Sequence, residues 1–224
     1  MKAIQIQQFG EPASALKLID APRQWLRDGD VRVRIEAAGI NPSDVVNIRG
    51  GFSSTTLPRT PGRDFAGEVV EGPERLIGLR VWGTGSDIGS TRDGTHAESI
   101  DIPAEAVAER PAALSAEQAA VVGVPYSAAY LSLESARLQR AEWVIVTGAP
   151  GAVGSAALEL VHARGASAIG FVKDAREREL LRGAKVSAVA ISDPEDLAAV
   201  VRETTHGHGA DIAPNGIGAS LRRR

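Results

Sequence analysis

The chain contains no cysteine. Disulfides and thiolate metal ligands are therefore excluded, and a reducing, cytoplasmic setting is expected. It lacks a long apolar run, so no stretch is expected to span a bilayer. The opening residues, MKAIQIQQFG, have no apolar core of the signal-peptide kind. Charge of one sign is missing too. Lys and Arg number 25 against 28 Asp and Glu, a formal charge of −3, and nothing in that balance asks for nucleic acid. Only four histidines are present: His96, His162, His206 and His208. His162 falls in a helical stretch and reads as a surface residue. His206 and His208 flank a glycine in a loop, but with no third ligand near them no metal site is expected.

What is present changes character near residue 125. At 224 residues, one or two domains are expected. The first part, residues 1–125, is β-rich. Val31, Val33 and Ile35 alternate with Arg32, Arg34 and Glu36, the pattern of a half-buried strand. Residues 3–6, 16–19, 65–70 and 79–82 are further strand candidates, punctuated by Gly and Pro. This reads as a small, irregular β-barrel. Ser115 to Gln118 form a capping-box pattern that starts a helix, and a second helical stretch is expected over 126–136. In the second part, residues 126–224, strand candidates at 143–146, 168–172, 186–191 and 210–213 alternate with helix candidates at 152–164, 175–182 and 194–204. Asp193 before Pro194 suits an N-cap followed by a first-turn proline. Such alternation implies a parallel sheet with right-handed crossovers.

The most informative stretch is Glu142 to Asp174. It runs strand, Gly-rich turn, helix, strand, the first unit of a dinucleotide-binding fold. Ala149, Gly151 and Gly154 hold the first, third and sixth fingerprint positions. Gly151 would let the backbone approach a pyrophosphate, and Gly154 would let the helix sit against the strand. The N–H groups at the helix start, around Gly148, Ala152 and Val153, would face the phosphates. At the end of the second strand, Lys173 and Arg176 suit a ribose 2′-phosphate, whereas Asp174 would either hold a ribose hydroxyl or cap the next helix. On this balance NADPH is preferred to NADH.

The sheet is expected to be partial. A complete doubly wound sheet has about six strands, and four are legible here, in the spatial order 3-2-1-4. Pro214 lies near the end of the fourth, which suits an edge. The three arginines at 222–224 read as a solvated end.

Motifs along the whole chain resemble those of the zinc-independent medium-chain dehydrogenases/reductases, quinone oxidoreductase type, as if the chain were a C-terminally truncated member. Residues 37–44, AAGINPSD, are similar to the family loop after an early barrel strand. Residues 61–69, PGRDFAGEV, resemble its PGxDxAGxV signature, and 94–98, GTHAE, its G-x-x-A-E turn. Residues 119–130 resemble the helix entering the cofactor domain; 148–154, 207–211 and 215–218 match later segments in order. The resemblance implies an α/β protein: a GroES-like β-barrel domain plus a partial Rossmann-type parallel sheet of about four strands, with NADPH in the cleft. Zinc-dependent relatives carry a cysteine near 41–44, a G-H-E at 62–64 and a four-cysteine lobe. None is present, so no metal is expected, and the implied reaction is hydride transfer to a quinone or other conjugated carbonyl.

By the same resemblance Asn41 and Asp44 lie in a Pro-containing loop lining the active cleft. Asn41 would hydrogen-bond a substrate carbonyl or fix the nicotinamide; both residues also suit ordinary turn formation. Ser127 matches a small hydroxyl residue near the nicotinamide, and Tyr130 a tyrosine of the same segment. Asn215 matches the segment passing the nicotinamide ribose. His96, on a surface-type turn, stays outside the catalytic set. An enoyl thioester reductase on the same scaffold, or a truncated non-catalytic nucleotide-binding product, are the alternatives. A homodimer is the assembly that the resemblance suggests.

Overall fold

The computed structural model describes residues 1–213 except 23, 86, 192 and 193, with no side-chain description for 191 and 194–197. The chain separates into two compact units, Met1–Val124 and Pro125–Arg224.

In the first unit, β1 (Lys2–Ile6) and β2 (Leu16–Asp20) form an antiparallel ribbon, linked by the short helix α1 (Pro12–Ala15). A five-stranded antiparallel sheet carries the rest. It comprises β3 (Asp30–Ala38), β4 (Phe65–Glu71), β5 (Arg80–Gly83), β6 (Ser99–Pro103) and β7 (Ala108–Glu109), in the order β6-β3-β4-β5-β7. Period-two alternation puts Val31, Val33, Val69, Val81, Ile100 and Ile102 on one buried face around Phe65. Arg32 departs from the expected polar-out pattern. It is 5% exposed, because Asp101 and Glu71 on the neighbouring strands receive its guanidinium at 2.7 and 2.6 Å. A buried charge persists only when paired in this way.

Between β3 and β4 the expected loop contains a helix, α2 (Pro42–Ile48). Proline at a first helical position is favoured because its missing N–H would be unpaired there anyway. The Ser115 capping box forms, with Gln118 N–H donating to Ser115 Oγ at 3.2 Å. The helix it starts, α3 (Ala116–Ala119), is only four residues long. The chain turns helical again in α4 (Gly123–Ser135), which crosses from the first unit into the second.

The second unit is parallel. β8 (Trp143–Thr147), α5 (Ala152–Ala163), β9 (Ser167–Val172), α6 (Ala175–Leu180), β10 (Ala188–Ile191) and α7 (Pro194–Thr204) alternate as expected. The described sheet has three strands, in the order β10-β9-β8. The fourth candidate is reduced to one parallel bridge, Val144 with Ile212. Ile145 N–H donates to the Ile212 carbonyl at 2.8 Å. The bridge lies on β8, so the spatial order 3-2-1-4 holds while the expected strand is shortened to a contact. Residues 214–224, which include Pro214, Asn215 and the three arginines, lie outside the described residues, as does Asp193. The buried stripe of α5, Ala156, Ala157, Leu158 and Val161, packs with Val144 and Val146 of β8 in one core. Among the described residues no helix is long and apolar enough to cross a membrane.

Candidate functional site

In the first unit the start of α2 brings three polar side chains into one buried cluster. Asn41 is the extended residue before Pro42. Its N–H donates to Asp44 Oδ2 at 2.7 Å, and Asp44 N–H donates to the Asn41 carbonyl at 2.9 Å. Asp64, at the mouth of β4, completes the group. Its Oδ2 accepts from Asn41 Nδ2 at 2.9 Å and its Oδ1 from Val124 N–H at 3.0 Å. Asp64 is 1% exposed, and it fits only because Gly123 has no side chain: a Cβ there would stand 2.4 Å from Asp64 Oδ1. One hydrogen of the Asn41 amide is thereby committed, which fixes the flip of the group. The second hydrogen has no acceptor among the described hydrogen bonds.

Asp44 is buried, and burial pushes its carboxyl above the ordinary carboxylate range. The Asn41 N–H and the charges of His96 and Arg63 pull it back, while Asp64 adds to the rise. Arg63 lies with its guanidinium 4.8 Å from the centre of the Phe52 ring, a cation–π contact. His96 is half-buried, not on an open turn as expected. Its Nε2 is 3.1 Å from the Gly39 carbonyl, and a Cβ on Gly62 would meet its ring at 2.5 Å. Gly62 has φ +95°, a left-handed conformation that suits glycine. Two hydroxyls of this region, Ser43 Oγ and Thr95 Oγ1, are buried without a hydrogen-bond partner.

The second unit carries the Gly-rich turn. Gly148 takes φ +60° as the chain leaves β8. Gly151 N–H then closes on the Gly148 carbonyl at 2.9 Å, and Gly151 becomes the residue before α5. Ala149 is fully buried. Gly154 is required by packing: a Cβ would stand 2.2 Å from the Gly148 carbonyl oxygen and 2.8 Å from Ala149. A Cβ on Gly151 would meet nothing but that same carbonyl, at 3.2 Å, so the space above Gly151 is open. The first-turn N–H groups of Ala152, Val153 and Gly154 have no carbonyl one turn earlier to receive them. These N–H groups and the open approach fit a phosphate.

At the end of β9, Asp174 takes one of the two roles open to it. Its Oδ1 accepts from Glu177 N–H at 2.9 Å as the N-cap of α6. Lys173 and Arg176 are exposed, and neither forms an ion pair among the described contacts. Glu177 was not singled out by the sequence, yet its Oε2 accepts from Lys173 N–H at 2.7 Å. Ser127 is exposed on α4, and Tyr130 is half-exposed under the Arg164 guanidinium. His208 lies 3.2 Å from Asp211. Among the described residues no group of three or more His, Asp or Glu side chains is arranged to hold a metal ion.

Residues 27–112 match the alcohol dehydrogenase GroES-like domain. The chain is 43% identical over 171 residues to a zinc-type alcohol dehydrogenase-like protein of Schizosaccharomyces pombe, covering 75% of this chain and 53% of that one. It is 33% identical over 172 residues to human quinone oxidoreductase, covering 76% and 52%. The crystal structure of a quinone oxidoreductase from Pseudomonas syringae pv. Tomato superposes with a TM-score of 0.84 at 25% identity, covering 97% of this chain and 67% of that one. The chain thus spans about half the length of these two sequence relatives.

Proposed function

This chain belongs to the medium-chain dehydrogenase/reductase family, quinone oxidoreductase type, and from that premise we propose that it is an oxidoreductase using NADPH ahead of NADH. The substrate would be a quinone or other conjugated carbonyl, reduced without zinc. NADPH, when bound, supplies the hydride. The protein's part is to hold and orient. Ala152, Val153 and Gly154 would present N–H groups to the pyrophosphate from the turn that Gly148, Ala149 and Gly151 shape, and Lys173 with Arg176 would meet the 2′-phosphate. Asn41 would offer its uncommitted amide hydrogen to the substrate carbonyl or the nicotinamide amide, held in place by Asp64. Asp44 would shape the charge beside it. Ser127 and Asn215 complete the proposed set.

One observation carries the cofactor reading: Asp174 is occupied as a helix cap, which leaves the two cations at the end of β9. The test is titration of NADPH and NADH into the parent chain and into Lys173→Ala/Arg176→Ala. NADPH should weaken by about 1.5–3 kcal/mol per charge-assisted contact, with NADH little changed. Equal weakening of both would overturn the 2′-phosphate assignment.

A further inference from the structure

In the first unit the described arginines that are at least partly buried are Arg32, Arg59, Arg63, Arg92 and Arg110. A cation taken partly out of water costs free energy unless an anion faces it. Four of the five have one: Arg32 meets Asp101 and Glu71, Arg59 meets Asp93, Arg92 meets Asp30 and Asp87, and Arg110 meets Glu36. Arg63 is the exception. Among the described residues no ion pair and no hydrogen bond reaches its guanidinium. It lies instead over the Phe52 ring, 4.8 Å from the centre. That contact spends none of its N–H donors. Phe52 is itself anchored, because Thr55 N–H donates to its carbonyl at 3.2 Å and Thr55 Oγ1 donates to the buried Asn47 side chain.

The unpaired cation belongs to the Asn41 cluster. Asp64 follows it in the chain and accepts from Asn41 Nδ2 at 2.9 Å, and the Arg63 charge is felt at the buried Asp44. The carboxylates of the cluster are engaged elsewhere. Asp64 receives Asn41 Nδ2 and Val124 N–H on its two oxygens, and Asp44 Oδ2 receives Asn41 N–H. The cluster therefore keeps two donors without an acceptor, one amide hydrogen of Asn41 and the Arg63 guanidinium.

We propose that Arg63 is a catalytic residue, the cation that takes up the negative charge formed on the carbonyl oxygen of the substrate, with the Asn41 amide as the neutral donor to the same oxygen. This rests on the oxidoreductase reading above. When a hydride adds to a conjugated carbonyl, its electron pair forms the new C–H bond and the carbonyl π pair moves onto oxygen. The substrate is reduced as the nicotinamide is oxidised. The oxygen stays anionic, as an enolate or a hydroquinone monoanion, until water supplies a proton. A cation already in place stabilises that charge more than it stabilises the neutral substrate.

A purely structural Arg63 makes a different forecast. Losing the Phe52 contact would lower the melting midpoint and leave anion binding alone. The parent chain, Arg63→Gln and Arg63→Lys are titrated with 4-nitrophenolate, whose charge sits on a ring-conjugated oxygen, and with uncharged 4-nitroanisole. Low and high salt are compared, no nucleotide is added, and melting midpoints are recorded. Reduction of 1,4-naphthoquinone by NADPH is then followed for the same three proteins. In Arg63→Gln, 4-nitrophenolate should bind about tenfold more weakly. The loss should be smaller in Arg63→Lys, and smaller at high salt. Binding of 4-nitroanisole should not change. Turnover by Arg63→Gln should fall about tenfold or more in kcat with KM little moved, and its melting midpoint should be no lower than the parent's. Equal binding of 4-nitrophenolate to the parent and Arg63→Gln, or none to the parent, would overturn the inference. So would quinone turnover that survives Arg63→Gln, which leaves the oxidoreductase reading intact. If the parent binds the phenolate yet reduces no quinone, the oxidoreductase reading falls and the catalytic role with it.

Discussion

Asp44 places a carboxylate where charge is disfavoured, and that has a measurable cost. Burial raises its pKa in the folded chain against the pull of the Asn41 N–H, His96 and Arg63. The folded value therefore lies above the unfolded one. Its contribution to stability is fully present below the ordinary carboxylate range and is lost as pH rises through the raised value. Near neutral pH the ionised group works against folding. Asp44→Asn keeps an oxygen to accept from Asn41 N–H and removes the charge. The expected outcome is a melting midpoint that gains on the parent at about pH 7 relative to about pH 3.5. An equal loss at both values would show that the carboxylate's shape, and not its charge, matters. A residue that lowers stability in its charged form fits a functional group better than a structural one. At this scale the sequence led to Asn41 and Asp44 but not to the residue that ties Asn41 down. Asp64 sits in a motif read for its family pattern, and nothing local reveals that its carboxylate reaches Asn41 across 23 positions. The Gly-Thr-His turn reads as surface, yet His96 is half-buried. Its burial comes from Gly62, far off in the chain, whose bare Cα leaves room for the ring.

The glycine turn is the element whose two fingerprint glycines do different work. Gly154 has backbone atoms at 2.2 and 2.8 Å from where a Cβ would be, which cannot shift cheaply. Gly151 has only one such neighbour, at 3.2 Å. Gly154→Ala should therefore cost about 1–3 kcal/mol in urea unfolding, as overpacking does. Gly151→Ala should unfold near the parent midpoint yet bind NADPH more weakly, because its methyl would enter the phosphate approach. A reversal of that pattern would remove Gly151 from the proposed phosphate cradle. Elements of this kind are legible because their causes are local. The bounds of β8, α5 and β9 fall within about one residue of those expected from periodicity. α2 was hidden by Pro42, which reads as a breaker although it is a good first helical residue. β6 carries a plain alternation, with Ile100 and Ile102 buried, and becomes a strand through its ladder with β3. The shortness of the fourth strand was not visible at all. Whether 210–213 extends beyond one bridge depends on long-range pairing that no local pattern encodes.

For the whole molecule the decisive fact is the division at residue 124. The barrel sheet and the parallel sheet are each built around a core of their own, so ligand energy need not be shared evenly. Every residue proposed for the pyrophosphate and the 2′-phosphate lies between 148 and 176, inside the second unit. A ligand present at a hundredfold excess over its Kd stabilises the state it binds by about 2.7 kcal/mol. That energy first suppresses openings of the unit that holds the ligand, since proteins open in local cooperative blocks. Hydrogen exchange with and without NADPH should therefore slow amides of β8, β9 and the turn between β8 and α5. Amides of β3 and β4 should change less. Slowing confined to the first unit would remove the dinucleotide from the second. Equal slowing throughout would show instead that the two units open as one, so that occupancy at the Gly-rich turn is felt at the Asn41–Asp64 hydrogen bond.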